Sequence, residues 1–477
     1  MEIIVLGGGT AGYVTALILK EKYREKVNIK IIKSKDIGII GVGEGTTEHW
    51  DDFLKFININ PDLMIKECGA TYKSGIMFKG WGEKDYLHSI DEQYDIFKGQ
   101  ENIGCLNLIH QKGDLYHGSI PESMLPAANA RMRQFHFDTF KLNTFLQKTA
   151  TQKNIEVIDD IIENVHTGNK GIAFLKSKTK TYTADMYIDC TGFKRLLIGK
   201  LGAKWKSYKK YLKVNAAFTF QTPDEDNYNL WTLAKAMKFG WRFKIPIQGR
   251  HGNGYIFCDK YTDVETAKVE VEKELGHEIT VAKNFKFDPG CLDKVWIKNC
   301  VAVGLSANFV EPLEATSIGT SIQQAYLLMH NLSCPSEAVR KQYNEQVQSI
   351  MENIRDFIYL HYLRWNRHNW FWKNFTEMNA PPSLRKMLNV WRRRLPINDD
   401  VKGSDYNLFW ARNYLQVLYG MGMYDYNKDI EKQYDFMPNT YKSMGDHYYK
   451  YILPKSFANL ITHKEYIEKM KRNLKQT

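Results

Sequence analysis

The stretch Val303 to Thr320, V-G-L-S-A-N-F-V-E-P-L-E-A-T-S-I-G-T, sets a carboxylate, Glu314, two residues before the pair Thr316-Ser317. Its apolar start reads as the end of a strand, its proline-containing centre as a tight turn, and Ile318 onward as a helix. The amides of Thr316 and Ser317 then lie at the helix N-terminus. Unpaired N–H groups and partial positive charge there suit an anion or a flavin edge. An anion cradle beside a carboxylate is what the rest of the chain has to position.

A second chemical signal stands at the start. Ile3 to Leu6 is a short apolar run, followed at once by Gly7-Gly-Gly-Thr-Ala-Gly12 and then a helical pattern over Tyr13 to Lys22. In that context Gly7 makes the turn, Gly9 lets the backbone approach a pyrophosphate and Gly12 permits close helix packing, with Thr10 and Ala11 between them. The alternative is a purely structural glycine-rich turn. The second strand, Asn28 to Ile32, is followed by Lys33 where an acid for a ribose hydroxyl is the rule. Lys33 leaves a 2′-phosphorylated dinucleotide open, and Asp36 could supply the ribose contact of FAD. Ile40-Gly-Val-Gly-Glu-Gly-Thr-Thr47, with Gly43 and Glu44 at its centre, is a second glycine-rich turn. Two such loops favour a cofactor with a long extended body, and FAD is the natural candidate.

Length allows two or three domains with well-buried cores in 477 residues. The formal net charge is +12 (66 basic against 54 acidic side chains), but it is dispersed, without a block of like charges. A solvated basic surface is therefore expected, and no nucleic-acid partner. The seven cysteines are odd in number, scattered and without C-x-x-C, which points to reduced thiols and to neither a disulfide frame nor a zinc site. No apolar run is long enough to span a membrane and no signal peptide precedes the first strand, so a cytoplasmic location is expected.

Taken together, G-G-G-T-A-G and G-V-G-E-G-T resemble the opening of the flavin-dependent halogenases, the tryptophan-halogenase family in particular. Later segments continue the resemblance in order. Cys68 to Trp81 resembles the segment in which an aromatic-Lys pair precedes a short strand ending in Trp, and the match implies Lys73, not Lys79, as the catalytic lysine. Trp241-Arg-Phe-Lys-Ile-Pro246 resembles the family block Trp-x-Trp-x-Ile-Pro, with Phe243 in place of the second Trp; the bland alternative is an edge strand with packed aromatics. Pro312-Leu-Glu-Ala-Thr-Ser317 resembles the element that carries the catalytic Glu and the halide site, with Ala315 where the family has Ser. Phe357 to Arg367 resembles the family's F-I-x-x-H-Y helix, and His361 reads there as a packing or capping histidine. Glu311 reads as structural.

The resemblance implies an α/β (α+β) fold: an FAD-binding, GR2-type Rossmann-like domain with β-sheet substrate insertions and a mostly α-helical C-terminal module. The FAD core with its interleaved substrate-facing sheet (including 73–135 and 205–290) is expected over 1–334, and the helical module over 335–477. It also implies a two-component enzyme. FADH2 from a separate flavin reductase, O2 and a halide (chloride, bromide or iodide) form a hypohalous acid, delivered through Lys73 and Glu314 to a small electron-rich aromatic such as an indole or phenol. Gly7, Gly9, Thr10, Ala11, Gly12, Gly43, Glu44, Leu305 and Ile318 would hold the flavin, Thr316 and Ser317 the halide, and Trp241 and Phe243 the substrate side. No metal is called for, and a homo-oligomer is left open. Two other readings are an FAD-dependent aromatic monooxygenase and a non-catalytic basic protein that binds nucleotide or nucleic acid.

Overall fold

The computed structural model describes residues 1–38, 44–89, 106, 109–110, 124–126, 134–363, 370–447, 450–451, 455 and 459–476. Gly43 therefore lies outside the described residues, and so does most of 90–133.

Short, mostly apolar runs of two to six residues build a six-stranded sheet. Its order is Trp296–Ile297, Cys300–Ala302, Met186–Asp189, Glu2–Leu6, Asn28–Lys33 and Glu156–Asp159, parallel throughout except the first pair. Ile3, Ile4 and Val5 are buried, as a strand covered on both faces requires. The helices Thr10–Tyr23 and Thr316–Asn331 pack on one another beside this sheet. Gly7 has φ +121° and its missing Cβ would stand 2.2 Å from the Cys190 carbonyl oxygen; a Cβ at Gly12 would stand 2.1 Å from the Gly7 carbonyl oxygen. No side chain fits at either position.

A second sheet has seven strands, in the order Lys283–Lys286, Ala216–Pro223, Arg250–Phe257, Gly240–Ile247, Trp231–Met237, Gly75–Lys79 and Tyr86–Ser89. Only the pair Trp231–Met237 with Gly75–Lys79 is parallel. The strand Gly240–Ile247, which holds the Trp241 block, is internal, hydrogen-bonded on both sides, so the edge-strand reading does not hold. A small three-stranded sheet, Glu44–Gly45, Phe135–Phe137 and Thr71–Tyr72, lies between the segments that carry Glu44 and Lys73. Phe137 belongs to that sheet; the following helix starts at Thr139, because Asp138 caps it by accepting from the amides of Phe140 and Lys141.

Beyond residue 334 the chain is mostly helical, led by Glu337–His361. Its buried side chains share one core with the seven-stranded sheet, with Trp81, Trp241, Phe357, Tyr362, Trp372 and Tyr414 among them. The last helix, His463–Gln476, returns to the small three-stranded sheet, where the Tyr72 amide donates to His463 Nε2 at 3.0 Å. No described helix is long and apolar enough to cross a membrane, and among the described residues no group of His, Cys, Asp and Glu is arranged to hold a metal ion.

Candidate functional site

Glu314 sits in a short turn, Leu313–Ala315, between the second sheet and the helix Thr316–Asn331. Two successive non-glycine residues there are left-handed, Glu314 at φ +71° and Ala315 at φ +53°. Each such residue costs on the order of 1–2 kcal/mol, a strain that clusters at functional sites. The turn carries the Glu314 side chain into the protein, where it is 2 % exposed. Thr316 and Ser317 are the first two residues of the 16-residue helix, so their amides lack carbonyl partners within it.

One cavity of ≈ 200 Å³ lies between this turn and the inner face of the seven-stranded sheet. Of the residues singled out in the sequence it brings together Glu44, Trp241, Phe243, Leu305, Glu314, Thr316, Ser317 and Ile318. Lys73 lies just behind its wall. The ammonium nitrogen is 3.2 Å from where a Cβ on Gly45 would stand, and Gly45 lines the cavity. Gly7 to Gly12 are outside this cavity, in the turn leading to the helix Thr10–Tyr23; Ala11 reaches back to Gly304, whose Cβ would be 2.6 Å from that of Ala11.

Lys73 is held by the small sheet. Its amide donates to the Gln134 carbonyl at 2.9 Å and its Nζ donates to the Thr46 carbonyl at 2.8 Å. The side chain is 1 % exposed. Burial pushes its pKa down to about 8, against smaller upward pulls from Glu314 and Glu48. Lys79, by contrast, ends the strand Gly75–Lys79 half-buried, with its ammonium over the Trp231 ring.

Glu314 shows the opposite balance. Burial alone would raise its carboxyl, but His88 and His361 outweigh it and hold the pKa at about 2. His88 Nδ1 is 2.6 Å from Oε2 and His361 Nε2 is 3.2 Å from Oε1. His361 is stacked on Phe78, with ring centroids 4.4 Å apart. The packing role of the sequence reading thus holds, and the ring faces the carboxylate as well. His88 was not singled out at all: a lone histidine in a short strand carries no periodic or motif signal, and only the fold brings it to Glu314.

Glu311, three residues earlier, is buried too. Its Oε2 accepts from Trp241 Nε1 at 2.7 Å and from the Tyr362 hydroxyl at 2.5 Å, and burial raises its carboxyl to about 7. The indole edge of Trp241 is thereby pinned, and its ring is left as cavity wall.

At the other end, Asp189 ties two turns together. It accepts from the amides of Leu197 and Ile198 and from the hydroxyls of Thr191 and Ser306. The turns at Cys190-Thr-Gly192 and Gly304-Leu-Ser306 are thus locked beside the six-stranded sheet. Open space above Gly9, at the free N-terminus of the helix Thr10–Tyr23, fits a pyrophosphate, so the residues present fit an extended flavin dinucleotide. Lys33 departs from the rule. It lies across Gly8 and donates to Gln147 Oε1 at 2.6 Å, while Asp36 is exposed.

Residues 2–435 match the family model described as tryptophan halogenase. Tryptophan 6-halogenase of Streptomyces toxytricini is 28 % identical over 469 residues, covering 88 % of this chain and 89 % of its own. Tryptophan 7-halogenase of Lentzea aerocolonigenes is 28 % identical over 480 residues, with the same shares covered. Among solved structures, the tryptophan halogenase of Shewanella frigidimarina superposes with a TM-score of 0.89 at 26 % identity, covering 99 % of this chain and 98 % of that one. A flavin-dependent halogenase from Xanthomonas campestris superposes with a TM-score of 0.87 at 26 % identity, covering 98 % of each chain.

Proposed function

The chain belongs to the tryptophan halogenase family and is a flavin-dependent halogenase, and from that premise we propose a two-component enzyme in which Lys73 and Glu314 direct the halogen onto an electron-rich aromatic ring. The observation that carries the proposal is a buried ammonium at the wall of a cavity that is also lined by a buried carboxylate and by the first two residues of a helix. Bound reduced FAD, supplied by a separate reductase, provides with O2 and halide the hypohalous acid. Gly7, Gly9, Thr10, Ala11, Gly12, Glu44, Leu305 and Ile318 would hold the flavin.

The roles of the protein groups follow from their environments. The amides of Thr316 and Ser317 hold the halide, since an anion is favoured where helix donors are unpaired. Lys73, with a pKa brought down to about 8, is poised near neutrality both to donate a proton to the oxidant's oxygen and to bind the oxidant as an amine. As the ring's electron pair forms the carbon–halogen bond, the oxygen departs as water with the Lys73 proton. The ring proton then leaves through Glu314 and returns to Lys73. At about 2, Glu314 is a weak base and a persistent anion, so stabilising the cationic ring is its larger contribution. Trp241 and Phe243 wall off the oxidant's path. The substrate class is an indole or phenol.

A reductase-coupled assay of an indole and phenol panel against chloride, bromide and iodide, read by mass spectrometry, tests this. Halogenated product that requires halide is expected. Hydroxylated product formed equally well without halide would instead place the chain with the aromatic monooxygenases.

A further inference from the structure

Glu314 is the centre of a line of polar side chains from three other elements. His88 comes from the strand Tyr86–Ser89 and His361 from the end of the helix Glu337–His361. Behind them stand Asn413, with Nδ2 3.2 Å from His88 Nε2, and Tyr86, with its hydroxyl 2.9 Å from His361 Nδ1. Among the described residues the titratable groups that face His88 are thus Glu314 and, through it, His361; the Phe357 ring, 5.3 Å away, is apolar.

One contact fixes where the protons are. Asn413 Oδ1 accepts from the Trp410 amide at 2.8 Å, capping the helix Ala411–Gly420. With its oxygen committed, the amide can present only N–H to His88 Nε2. An N–H needs a lone pair, so Nε2 carries no proton and the single proton of a neutral ring sits on Nδ1, donated to Glu314. Turning the amide over would set its NH2 against the Trp410 N–H, donor against donor, and leave the helix amide unpaired. We infer that Asn413 is a positioning residue for the halogenation chemistry: it fixes His88 as a neutral Nδ1–H imidazole, so that Glu314 is oriented without being neutralised and keeps its negative charge for Lys73.

The inference rests on Glu314 being the working carboxylate, but its test does not. Asn413→Asp keeps an acceptor for the Trp410 amide and suits the first turn of a helix, while replacing the donor at Nε2 by an oxygen. In ¹⁵N-histidine spectra the native protein should show His88 with one protonated and one bare ring nitrogen, the proton on Nδ1. Asn413→Asp should show both protonated at neutral pH, with halogenation down about tenfold, the worth of one pH unit of charge stabilisation. A native ring with Nε2–H or two protons overturns the inference, and so does Asn413→Asp with ring pattern and rate unchanged. If the variant loses its native circular dichroism, the native spectrum alone decides. If the native protein halogenates no aromatic at all while the Nδ1–H pattern is present, the proposed function falls and the tautomer assignment stands.

Discussion

Replacing Lys73 by Met should abolish halogenation and at the same time make the protein more stable. The lysine pKa falls from 10.5 to about 8, a shift of about 2.5, because its charge is buried. At neutral pH that disfavours the folded state by about 3 kcal/mol. Methionine has a similar shape and no charge, but it leaves the Thr46 carbonyl without its 2.8 Å donor, a loss of about 1–2 kcal/mol. The net gain is therefore about 1–2 kcal/mol, measurable as a higher urea midpoint at pH 7. The pH dependence gives a sharper test. Between pH 8 and 10.5 the unfolded chain still binds the lysine proton and the folded protein has released it, so native stability rises with pH over that window. The advantage of the variant should shrink across it and give way to a native advantage of about 1–2 kcal/mol, the lost hydrogen bond alone. Flavin oxidation by O2 in the reductase-coupled assay should be unchanged, because Lys73 is not one of the groups assigned to hold the flavin. A variant that unfolds at lower urea than native at pH 7, with no change in the pH 8 to 10.5 slope, would refute the buried-charge argument. Halogenation at a near-native rate would refute the catalytic assignment.

Further outcomes follow from the same geometry. Glu314→Gln should reduce halogenation by about 100-fold or more, and Glu311→Gln, which keeps an acceptor for Trp241 and Tyr362, should leave most of it. Because the folded Glu314 titrates near 2 against 4.5 unfolded, its contribution is complete above pH 4.5 and lost as the pH falls toward 2, so acid titrations of native and Glu314→Gln proteins should converge over that window. Ala315→Ser, which adds a hydroxyl beside Glu314, should raise the ratio of halogenated product to free hypohalous acid captured by a trapping agent. Lys33→Glu should tighten FAD binding by about 1 kcal/mol, roughly fivefold, in a flavin-fluorescence titration, since a carboxylate at that strand end can accept from a ribose hydroxyl.

The parts of this site that sequence makes legible are those where the backbone itself is the functional group. Gly7 and Gly12 are dictated by close approach, and the Thr316-Ser317 amides by a helix start; such requirements act on adjacent residues and leave a local pattern. Strand Gly240–Ile247 was harder to place, because Trp241 and Phe243 before a proline read by themselves as packed aromatics of an edge strand, whereas Trp231–Met237 and Arg250–Phe257 flank them. His88, Asn413 and Tyr86 left no trace. Asn413 lies 325 positions from His88, and the contact exists only because the helix Ala411–Gly420 runs along the strand Tyr86–Ser89. His361 had a local pattern, but one that described its helix and not the carboxylate it faces.

Glu311 and Glu314 show why residue type alone could not have ranked them. Both are carboxyls within one short segment, and both are buried. Desolvation raises each, so burial by itself would make both of them neutral acids near pH 7. What separates them is the kind of donor. Glu311 meets an indole N–H and a phenol, which do not reverse the effect of burial, and it stays at about 7. Glu314 meets two imidazoles and is driven to about 2. The same depth of burial thus yields one carboxyl poised to be protonated, pinning a wall residue, and one that holds its charge beside a lysine brought down to about 8. Pairs of ionisable groups pushed apart in this way mark where acid and base roles are divided. The division here depends on His88 and His361, so the two left-handed residues at the turn are what the fold spends to put one carboxylate, and not its neighbour, between them.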